Sequence, residues 1–553
     1  MFSDPVFGDN FFGRQEITDL LLKRATALKA GYRQNVALIG HRQLGKTSVL
    51  RHFLYCLKDP QILCIYVEIK FQALDYFVDQ FIRSLLYHCL DGQGGQACAS
   101  EPLSSLMEKA GHCIPKTVHR IAEITQLLRQ RHAEAAYSKL FELTSVIKEE
   151  TGKNCVVVLD EFHRLGEFGI RNAFSDFGKR IMIQKDTMYL LASSSFSASR
   201  KILAEKLALL FGNFERIYLE PFDFETSFDF LDRKLSPVTM DKTLQCFAVA
   251  LTDGHPFFLD TLTLRMRELA SAKDERAISK GTLCEALLKL LFESQGVWNQ
   301  YFLKLISRWM RPDSRGSHIL ILTALARGAN KLKDIARDIR RTAKETSGQL
   351  QELMENELIV KSGVFYRFHN KIFKFWLKEV YERKELAIVS ASSGKAEFLE
   401  RVNAVVDEYG KWLKMDIGER VMGLLALFNN EIVELGEKKR RLPHFTELIK
   451  VSPEKSADTK GCREILARGR GRCWICKIVE EKVTEKQVLD LVNAARDKKE
   501  PPTKVLLALR GMEENARLLA KEEKILTLGL SRINMLMDIY GRSPIVHADS
   551  RLI

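Results

Sequence analysis

The sequence predicts an α/β fold in which a parallel, helix-covered β-sheet is followed by a helical segment, a small helix-and-hairpin module and a second α/β region. Short apolar runs alternate with helix-period segments between residues 35 and 219, which is the pattern of a parallel sheet. The chain then turns wholly helical until about residue 312, and residues 318–368 read as three short helices and a hairpin. Because 553 residues are too many for one hydrophobic core, several domains are expected.

Composition and charge limit the class of protein. Hydrophobic residues make up 46% of the chain and charged residues 28%, as in soluble globular proteins. No apolar run approaches the roughly 20 residues that span a bilayer, the first ten residues do not resemble a signal peptide, and the eleven scattered cysteines are typical of reduced thiols. We therefore expect a cytoplasmic protein without membrane contact. The net charge of +14 is compatible with a polyanionic partner and equally with a basic solvated surface.

The most specific feature lies at residues 36–54. An apolar run at 36–39 is followed by G-x-x-x-x-G-K-T and then by an amphipathic helical run. Glycines in such a loop let successive N–H groups face inward and cradle phosphate oxygens. Lys46 would reach the β- and γ-phosphates and Thr47 would bind Mg²⁺, so the sequence predicts a nucleoside triphosphate site. The expected nucleotide-contacting residues are Gly40, His41, Arg42, Gln43, Leu44, Gly45, Lys46, Thr47 and Ser48.

Two carboxylates follow a second apolar run, residues 155–159. Asp160 would hold the hydration shell of Mg²⁺, and Glu161 would polarise the attacking water. The alternative is that these residues are only a buried strand followed by a polar turn. The phosphate loop upstream makes this alternative weaker than a catalytic role.

Two further candidates for catalysis are less specific. The apolar run 188–192 ends in serines, of which Ser194 or Ser195 could contact the γ-phosphate or the attacking water, although a hydroxyl-rich turn explains them nearly as well. Arg216 precedes the last apolar run of the sheet. It could act on a nucleotide in the same or a neighbouring subunit, while a surface arginine beside a strand is the more usual case.

Residues 318–368 follow the order of a winged helix, with helices at 319–325, 331–341 and 345–358 and two strands at 359–368. In that architecture the third helix reads DNA. Here the third helix carries four glutamates, whereas the second helix is basic. Because glutamates repel phosphates, packing against protein is favoured for this module and DNA binding stays open.

A charged linker at residues 385–395 leads into the second α/β region. The basic runs 438–441 and 468–472 could contact phosphates, and solvated loops explain them equally well. The expected elements are helices at 405–428 and 486–495, strands at 473–479 and 504–509, and a long helical tail at 515–540.

Several of these stretches, in this order, resemble the STAND-type P-loop ATPases of the AAA+-related branch, close to origin-recognition proteins. They are residues 11–16 (FFGRQE), 40–47 (GHRQLGKT), 156–161 (VVVLDE), 193–195 (SSS) and 253–256 (DGHP), with the winged helix behind them. The resemblance covers residues 11–381. It implies a P-loop ATPase core at 1–235, a helical lid at 236–312 and a winged helix at 313–384.

The same resemblance implies roles for individual residues. Gly13, Arg14 and Pro256 would lie near the adenine, and Ser194 or Ser195 would be the polar sensor. Many relatives carry an arginine directly after a Phe-Gly pair, where this chain has Asn213. Arg216 would have to replace that arginine.

Residues 385–553, the linker and the last domain, resemble a restriction-endonuclease-like domain. Active relatives carry Glu-Ile-Asp before Leu-Ala, whereas this chain reads Glu-Ile-Leu from Glu464 and has no metal-binding glutamate around Trp474. A metal-dependent nuclease needs carboxylates to hold Mg²⁺. We therefore expect a retained fold without nuclease activity.

Together these features predict an ATP- and Mg²⁺-dependent ATPase switch whose nucleotide state controls homo-oligomerisation or engagement of double-stranded DNA or protein. The alternative is a scaffold that holds nucleotide without hydrolysing it and binds DNA or protein through its basic C-terminal region. The sequence leaves the choice between ATP and GTP open.

Overall fold

The structure is a computed structural model that describes residues 4–70, 73–91, 101–207, 214–310, 317–386, 391–436, 438–451, 462–496, 498 and 501–546. The chain forms two compact units, one of residues 1–222 with 255–257 and one of residues 223–254 with 258–553. The finer division into lid, winged helix and nuclease-like domain stays a prediction. Within the described ranges no helix is both long and apolar enough to cross a membrane.

The first unit is built on a five-stranded parallel sheet in the order β2-β3-β4-β1-β5. Its elements in chain order are α1 (Gln15–Lys29), β1 (Asn35–Ile39), α2 (Lys46–Cys56), β2 (Ile62–Glu68), α3 (Leu74–Asp91), α4 (Leu103–Gly111), α5 (Pro115–Arg129), α6 (Ala133–Thr151), β3 (Asn154–Asp160), α7 (Ala173–Ile183), β4 (Thr187–Ser193), α8 (Phe196–Lys201) and β5 (Phe214–Tyr218). The predicted parallel sheet with helices on its faces is confirmed.

Helices cover both faces of this sheet, which is why its central strands are continuous apolar runs. Along β1, Val36 and Leu38 pack into a cluster with α1 and α2. Ala37 and Ile39 point the other way, into a larger cluster with α3 to α7. Helices α3 to α6, between β2 and β3, therefore supply much of the core on this face of the sheet. Residues 92–100, a Gly/Ser-containing stretch between α3 and α4, lie outside the described residues.

The second unit contains the remaining elements. They are α9 (Phe224–Leu235), β6 (Thr239–Met240), α10 (Lys242–Thr252), α11 (Pro256–Ala272, which begins in the first unit), β7 (Ala277–Ile278), α12 (Lys280–Leu287), α13 (Val297–Ile306), α14 (Ser317–Arg327), α15 (Leu332–Asp338), α16 (Ala343–Glu355), β8 (Ile359–Ser362), β9 (Phe365–Phe368), α17 (Lys371–Trp376), α18 (Glu382–Leu386), α19 (Ala391–Lys414), α20 (Ile417–Leu425), β10 (Ile432–Leu435), β11 (Lys438–Arg441), β12 (Glu447–Val451), β13 (Cys462–Gly469), β14 (Arg472–Val479), α21 (Glu485–Arg496), β15 (Thr503–Ala508), α22 (Glu514–Glu522), β16 (Leu526–Gly529) and α23 (Leu530–Ile539).

Four sheets organise these elements. A mixed sheet runs β12-β13-β14-β15-β16, antiparallel from β12 to β14 and parallel from β14 to β16. The pairs β8–β9 and β10–β11 are antiparallel ribbons, and β6–β7 is a two-residue parallel pair. Helices α14 to α16 and the ribbon β8–β9 occupy the segment in which a winged helix is predicted.

Three expectations for the second unit were wrong. The segment after β5 is not wholly helical, because β6 and β7 pair within it. The tail at 515–540 is not one helix, since Lys524 takes a left-handed conformation after α22 and Leu526 then pairs with Val505 of the neighbouring strand. The basic run 438–441 is not a loop but the strand β11.

The turn of the β8–β9 ribbon packs directly on β10. The Val364 N–H donates to the Ile432 carbonyl at 3.0 Å, and the Ser362 hydroxyl donates to the Glu434 carbonyl at 3.2 Å. Gly363 has φ +67°, and a Cβ added to it would lie 1.9 Å from the Ile432 oxygen. Only glycine allows this close approach of two backbones.

Replacing Gly363→Ala should lower the free energy of unfolding of the second unit by about 2–4 kcal/mol, because strained backbone and overlap with Ile432 add. The matched control is Gly348→Ala, since Gly348 lies in α16 with open space around its Cβ position. That change should raise stability by about 0.5–1 kcal/mol. Denaturant unfolding of both variants measures the difference, and equal stabilities would contradict the close contact.

Candidate nucleotide-binding site

The predicted phosphate loop connects β1 to α2 at the carboxyl edge of the parallel sheet. Gly45 precedes the helix with φ +89°, a conformation that favours glycine, and Gln43 also has a positive φ of +63°. A Cβ added to Gly40 would lie 2.9 Å from both the side chain and the carbonyl oxygen of Leu219. The two glycines of the motif are therefore required for different reasons, a close approach at residue 40 and a left-handed turn at residue 45.

Lys46 is folded back onto the loop that precedes it. Its side chain is 5% exposed, and its ammonium donates to the carbonyls of Gly40 at 2.9 Å and His41 at 2.8 Å. A buried cation needs such acceptors. A bound phosphate could take over as the acceptor, because the same ammonium sits at the centre of the loop.

Thr47 and Asp160 meet although 113 residues separate them. The Thr47 hydroxyl donates to the Asp160 carboxylate at 2.7 Å, and the Tyr66 hydroxyl lies 3.4 Å from the same oxygen. Asp160 is 1% exposed. Burial raises the pKa of its carboxyl to about 6, and the negative charge of Glu161 acts in the same direction. A hydroxyl beside a buried carboxylate is a donor set of hard oxygens, so these two residues fit Mg²⁺.

Glu161 is held by the end of the neighbouring strand. It follows β3 with φ +58°, and one carboxylate oxygen accepts hydrogen bonds from the Ser194 N–H at 2.9 Å and the Ser194 hydroxyl at 2.8 Å. Ser195 instead caps α8, where its hydroxyl accepts from the Ala198 N–H. Of the two serines that the sequence left open, Ser194 is the one in contact with Glu161.

His163 joins this group and was missed by the sequence analysis. Its Nδ1 lies 2.9 Å from the Ser193 hydroxyl and 3.4 Å from the Glu161 carboxylate. Burial lowers the pKa of the imidazole, and the Glu161 charge opposes that shift. A single histidine after two carboxylates gives no sequence signal, because only the fold brings it to the end of β4.

The N-terminal segment packs along the phosphate-loop helix α2. Phe11 stacks on His52 with ring centroids 4.0 Å apart, and the Gly8 N–H donates to the His52 ring at 3.2 Å. The Ser48 hydroxyl, predicted to contact nucleotide, accepts a hydrogen bond from the Val6 N–H at 3.2 Å. The segment thus lies beside the loop, on the helix that follows it.

Arg14 and Pro256, both predicted near the adenine, belong to the first unit. The Arg14 guanidinium donates to the Glu220 carbonyl and lies 4.9 Å from the centre of the Phe222 ring. Pro256 follows His255, whose Nε2–H donates to the carbonyl of Arg42 in the phosphate loop at 3.3 Å. Burial lowers the pKa of His255 to about 3, so this imidazole is neutral near pH 7.

Arg216 is exposed in the middle of the edge strand β5, in register with Ala37. The phosphate loop begins three residues further along β1, so Arg216 lies short of the carboxyl edge that carries the other candidates. Residues 211–213, where relatives carry the arginine of the resemblance, lie outside the described residues.

The mixed sheet of the second unit carries the positions of the suspected nuclease motif. Glu464 and Lys477 are cross-strand neighbours, with the ammonium 3.5 Å from the carboxylate and 3.2 Å from Asp490. The next pair along the same face, Leu466 and Ile475, is apolar and buried.

Comparisons with known proteins agree with this geometry. A model of the AAA ATPase domain family matches residues 10–173, whereas no curated protein sequence matches the chain. The first unit therefore carries an AAA ATPase domain with the P-loop ATPase fold.

Three solved structures show the range of similarity. The Walker-type ATPase PABY2304 of Pyrococcus abyssi is 18% identical over 68% of this chain and 99% of that chain, with a TM-score of 0.48. The Aeropyrum pernix ORC2 protein, in its ADPNP–ADP complexes, is 11% identical over 73% and 97%, with a TM-score of 0.43. The Thermotoga maritima RuvB Holliday junction branch migration motor is 14% identical over 69% and 100%, with a TM-score of 0.35.

Replacing Gly40→Ala should weaken nucleotide binding by roughly 10–100-fold, because the added methyl overlaps Leu219 and shifts the loop at a cost of about 1–3 kcal/mol. Titration with a fluorescent ATP analogue measures the effect. Gly111→Ala is the matched control, since open space surrounds that Cβ position at the end of α4. Equal affinity of the two variants would show that the loop tolerates a side chain at residue 40.

Proposed function

We propose that this chain, through the AAA ATPase domain at residues 10–173, binds and hydrolyses ATP with Mg²⁺ and uses its nucleotide state as a switch. The observation that carries the proposal is the meeting of Lys46, Thr47, Asp160 and Glu161 at the carboxyl edge of one parallel sheet, with Thr47 hydrogen-bonded to Asp160 and Glu161 to Ser194. Cation, hydroxyl and two carboxylates are the groups that phosphoryl transfer needs.

The phosphate loop and Lys46 bind the triphosphate. Loop N–H groups cradle phosphate oxygens, the positive end of α2 adds to the attraction, and Lys46 exchanges its two carbonyl acceptors for phosphate oxygens. Thr47 and Asp160 would hold Mg²⁺, which when bound neutralises phosphate charge. Arg14 and Pro256 would lie near the adenine.

Glu161 acts on the attacking water. It accepts a proton from the water as the oxygen attacks the γ-phosphorus, the bond to the β-phosphate oxygen breaks, and ADP and phosphate leave. Ser194 positions this carboxylate, because its N–H and hydroxyl both donate to one oxygen and leave the other oxygen for water. His163 supports the arrangement, because its Nδ1 lies 3.4 Å from the same Glu161 oxygen.

Glu161→Gln should retain ATP binding and lower turnover by about 10²–10⁴-fold, since the amide cannot accept the proton. Lys46→Ala should lose binding and turnover together. Steady-state phosphate release and ATP-analogue titration separate the two effects. Glu167→Gln is the matched control, because that exposed glutamate lies six residues further on. Equal turnover of wild type and Glu161→Gln would refute catalysis by Glu161.

A non-hydrolysing scaffold is the second candidate function. The exposed basic strand β11 favours it, because that strand offers a surface for DNA or protein apart from the nucleotide site. Such a protein would retain ATP over many hours with turnover at background, and it would engage DNA or protein through its basic C-terminal region.

We also propose that Arg216 acts on the nucleotide of a neighbouring subunit in a nucleotide-dependent homo-oligomer. Its exposed place on the edge strand β5 supports action in trans. Lys46→Ala and Arg216→Ala should each be inactive alone, and their mixture should recover part of the turnover, because the first supplies the arginine to the intact loop of the second. A mixture as inactive as its components would exclude action in trans.

For the second unit we propose a winged helix at residues 313–384 and a nuclease-like domain without nuclease activity at 385–553. The buried apolar pair Leu466 and Ile475 supports the loss of activity, because it stands on the strands from which relatives hold their metal. Cleavage of DNA by pure protein with Mg²⁺ or Mn²⁺ that is abolished by Glu464→Ala would overturn this assignment.

A further inference from the structure

The ribbon β10–β11 combines an anchored strand with an entirely basic one. Val433 and Leu435 of β10 are buried in the core of the second α/β region. Every side chain of β11 is exposed, and none of them forms an ion pair with a carboxylate among the residues that the structure describes. The four cations are Lys438, Lys439, Arg440 and Arg441.

The base of the ribbon is fixed from two sides. The Leu442 N–H donates to the Glu431 carbonyl at 2.8 Å and closes the ribbon at its open end. On its other side, the Val364 N–H of the β8–β9 turn donates to Ile432 at 3.0 Å. The four charges therefore project from a backbone that is already ordered, so binding of a ligand would cost little backbone conformational entropy.

A second basic turn lies beside the end of β11. Arg468, Arg470 and Arg472 are exposed around the β13–β14 turn, where the Thr446 N–H donates to the Arg468 carbonyl at 2.8 Å. A Cβ added to Gly469 would lie 2.2 Å from the His444 oxygen. His444 follows Arg441 by three residues, so at most about 11 Å of chain separates Arg441 from the residue that touches this turn.

The third helix of the predicted winged helix cannot offer a comparable surface. In α16, Glu345 closes a capping box with Thr342, and Glu352 pairs with His318 at 2.7 Å. With Glu355 on the same short helix, this element presents negative charge to any phosphate.

The need to protect an exposed sheet edge from pairing explains only part of the positive charge on β11. Charged side chains on an edge strand prevent pairing between molecules, but one or two suffice for that, and β11 has four in succession. A two-stranded ribbon fits the roughly 12 Å wide major groove of B-DNA, whereas the major groove of an RNA duplex is deep and narrow. A membrane surface would require several apolar side chains, and the described part of the ribbon exposes only Ile432.

We infer that duplex DNA binds here, with the strand β11 at residues 438–441 and the turn at 468–472 contacting its phosphates. The inference identifies duplex DNA as the partner of the proposed switch and this ribbon as its binding surface. It rests on the proposed function only in that ATP would control the binding. Binding at the ribbon is therefore testable without nucleotide, so its failure is distinguishable from a failure of ATP hydrolysis.

The test is fluorescence anisotropy of a labelled random-sequence DNA duplex of about 25 base pairs with the full-length chain, between 50 and 200 mM salt, without nucleotide. The ribbon variant replaces Lys438, Lys439, Arg440 and Arg441 with glutamine. It should bind at least about tenfold more weakly than wild type at 100 mM salt. The slope of log K against log salt should shrink by about 0.9 for each lost phosphate contact, or by about two to four in total.

Two control variants make the test specific. The α15 variant replaces Lys333 and Arg337 of α15, and Arg340 and Arg341 just after it, with glutamine. It loses the same net charge and should bind like wild type. The exchange variant, with arginines at 438 and 439 and lysines at 440 and 441, keeps every charge and should also bind. Thermal unfolding shows whether the ribbon variant is folded. If it is not, the double variant Lys439→Gln with Arg441→Gln carries the test, and it should lose about half of the slope change expected for the ribbon variant.

Other outcomes would overturn the inference. Equal losses in the ribbon and α15 variants would mean that only net charge matters, and a loss confined to the α15 variant would place DNA on the helical module. Absence of binding by wild type at 50 mM salt, binding to phosphatidylserine vesicles instead of DNA, or weak binding by a folded exchange variant would equally reject a phosphate-binding ribbon.

Discussion

Parallel pairing of β3, β4 and β1 is the constraint on which the candidate site depends. The Gly40 N–H donates to the Ser193 carbonyl at 3.3 Å, and Asp160 stands in register with Ala192. The three strands therefore end together, and the loop, the buried carboxylate and Ser194 emerge at one edge. Packing on both sheet faces supports this register, because the side chains of the central strands fit two different core clusters.

Negative charge is concentrated at the carboxyl edge of the parallel sheet, where it favours binding of a cation. Asp160 is buried beside Glu161, and its pKa is raised first by burial and then by the negative charge of Glu161. Thr47 and Ser194 each donate to one of them, which lowers but does not remove the repulsion. A divalent cation and a triphosphate bring opposite charges that would relieve both the carboxylate pair and the buried Lys46.

Much of the first unit was predictable, since Gly40, Lys46 and Asp160 occur at fixed spacing between apolar runs. His163 and His255 were not, because each reaches the site through pairings and turns that leave no periodic signal. In the second unit β11 has no alternation of apolar and polar residues, and it is a strand only because Val433 and Leu435 of its partner are buried. Likewise β16 forms because β15 offers an unpaired edge beside it. The residues of β11 and β16 alone do not indicate that such a partner strand is present.

The wing of the predicted winged helix and the basic ribbon form one mechanical element. Gly363 lets the β8–β9 turn lie on β10, and backbone hydrogen bonds join the two ribbons there. Phe365 continues the junction, because it packs in the core cluster of the second α/β region and against Tyr540 with ring centroids 5.6 Å apart. A wing held in this way is not free to enter a DNA groove by itself. Any displacement of helices α14 to α16 that moves the β8–β9 turn would act on β10 through these hydrogen bonds, and β11 with its four cations is paired with β10.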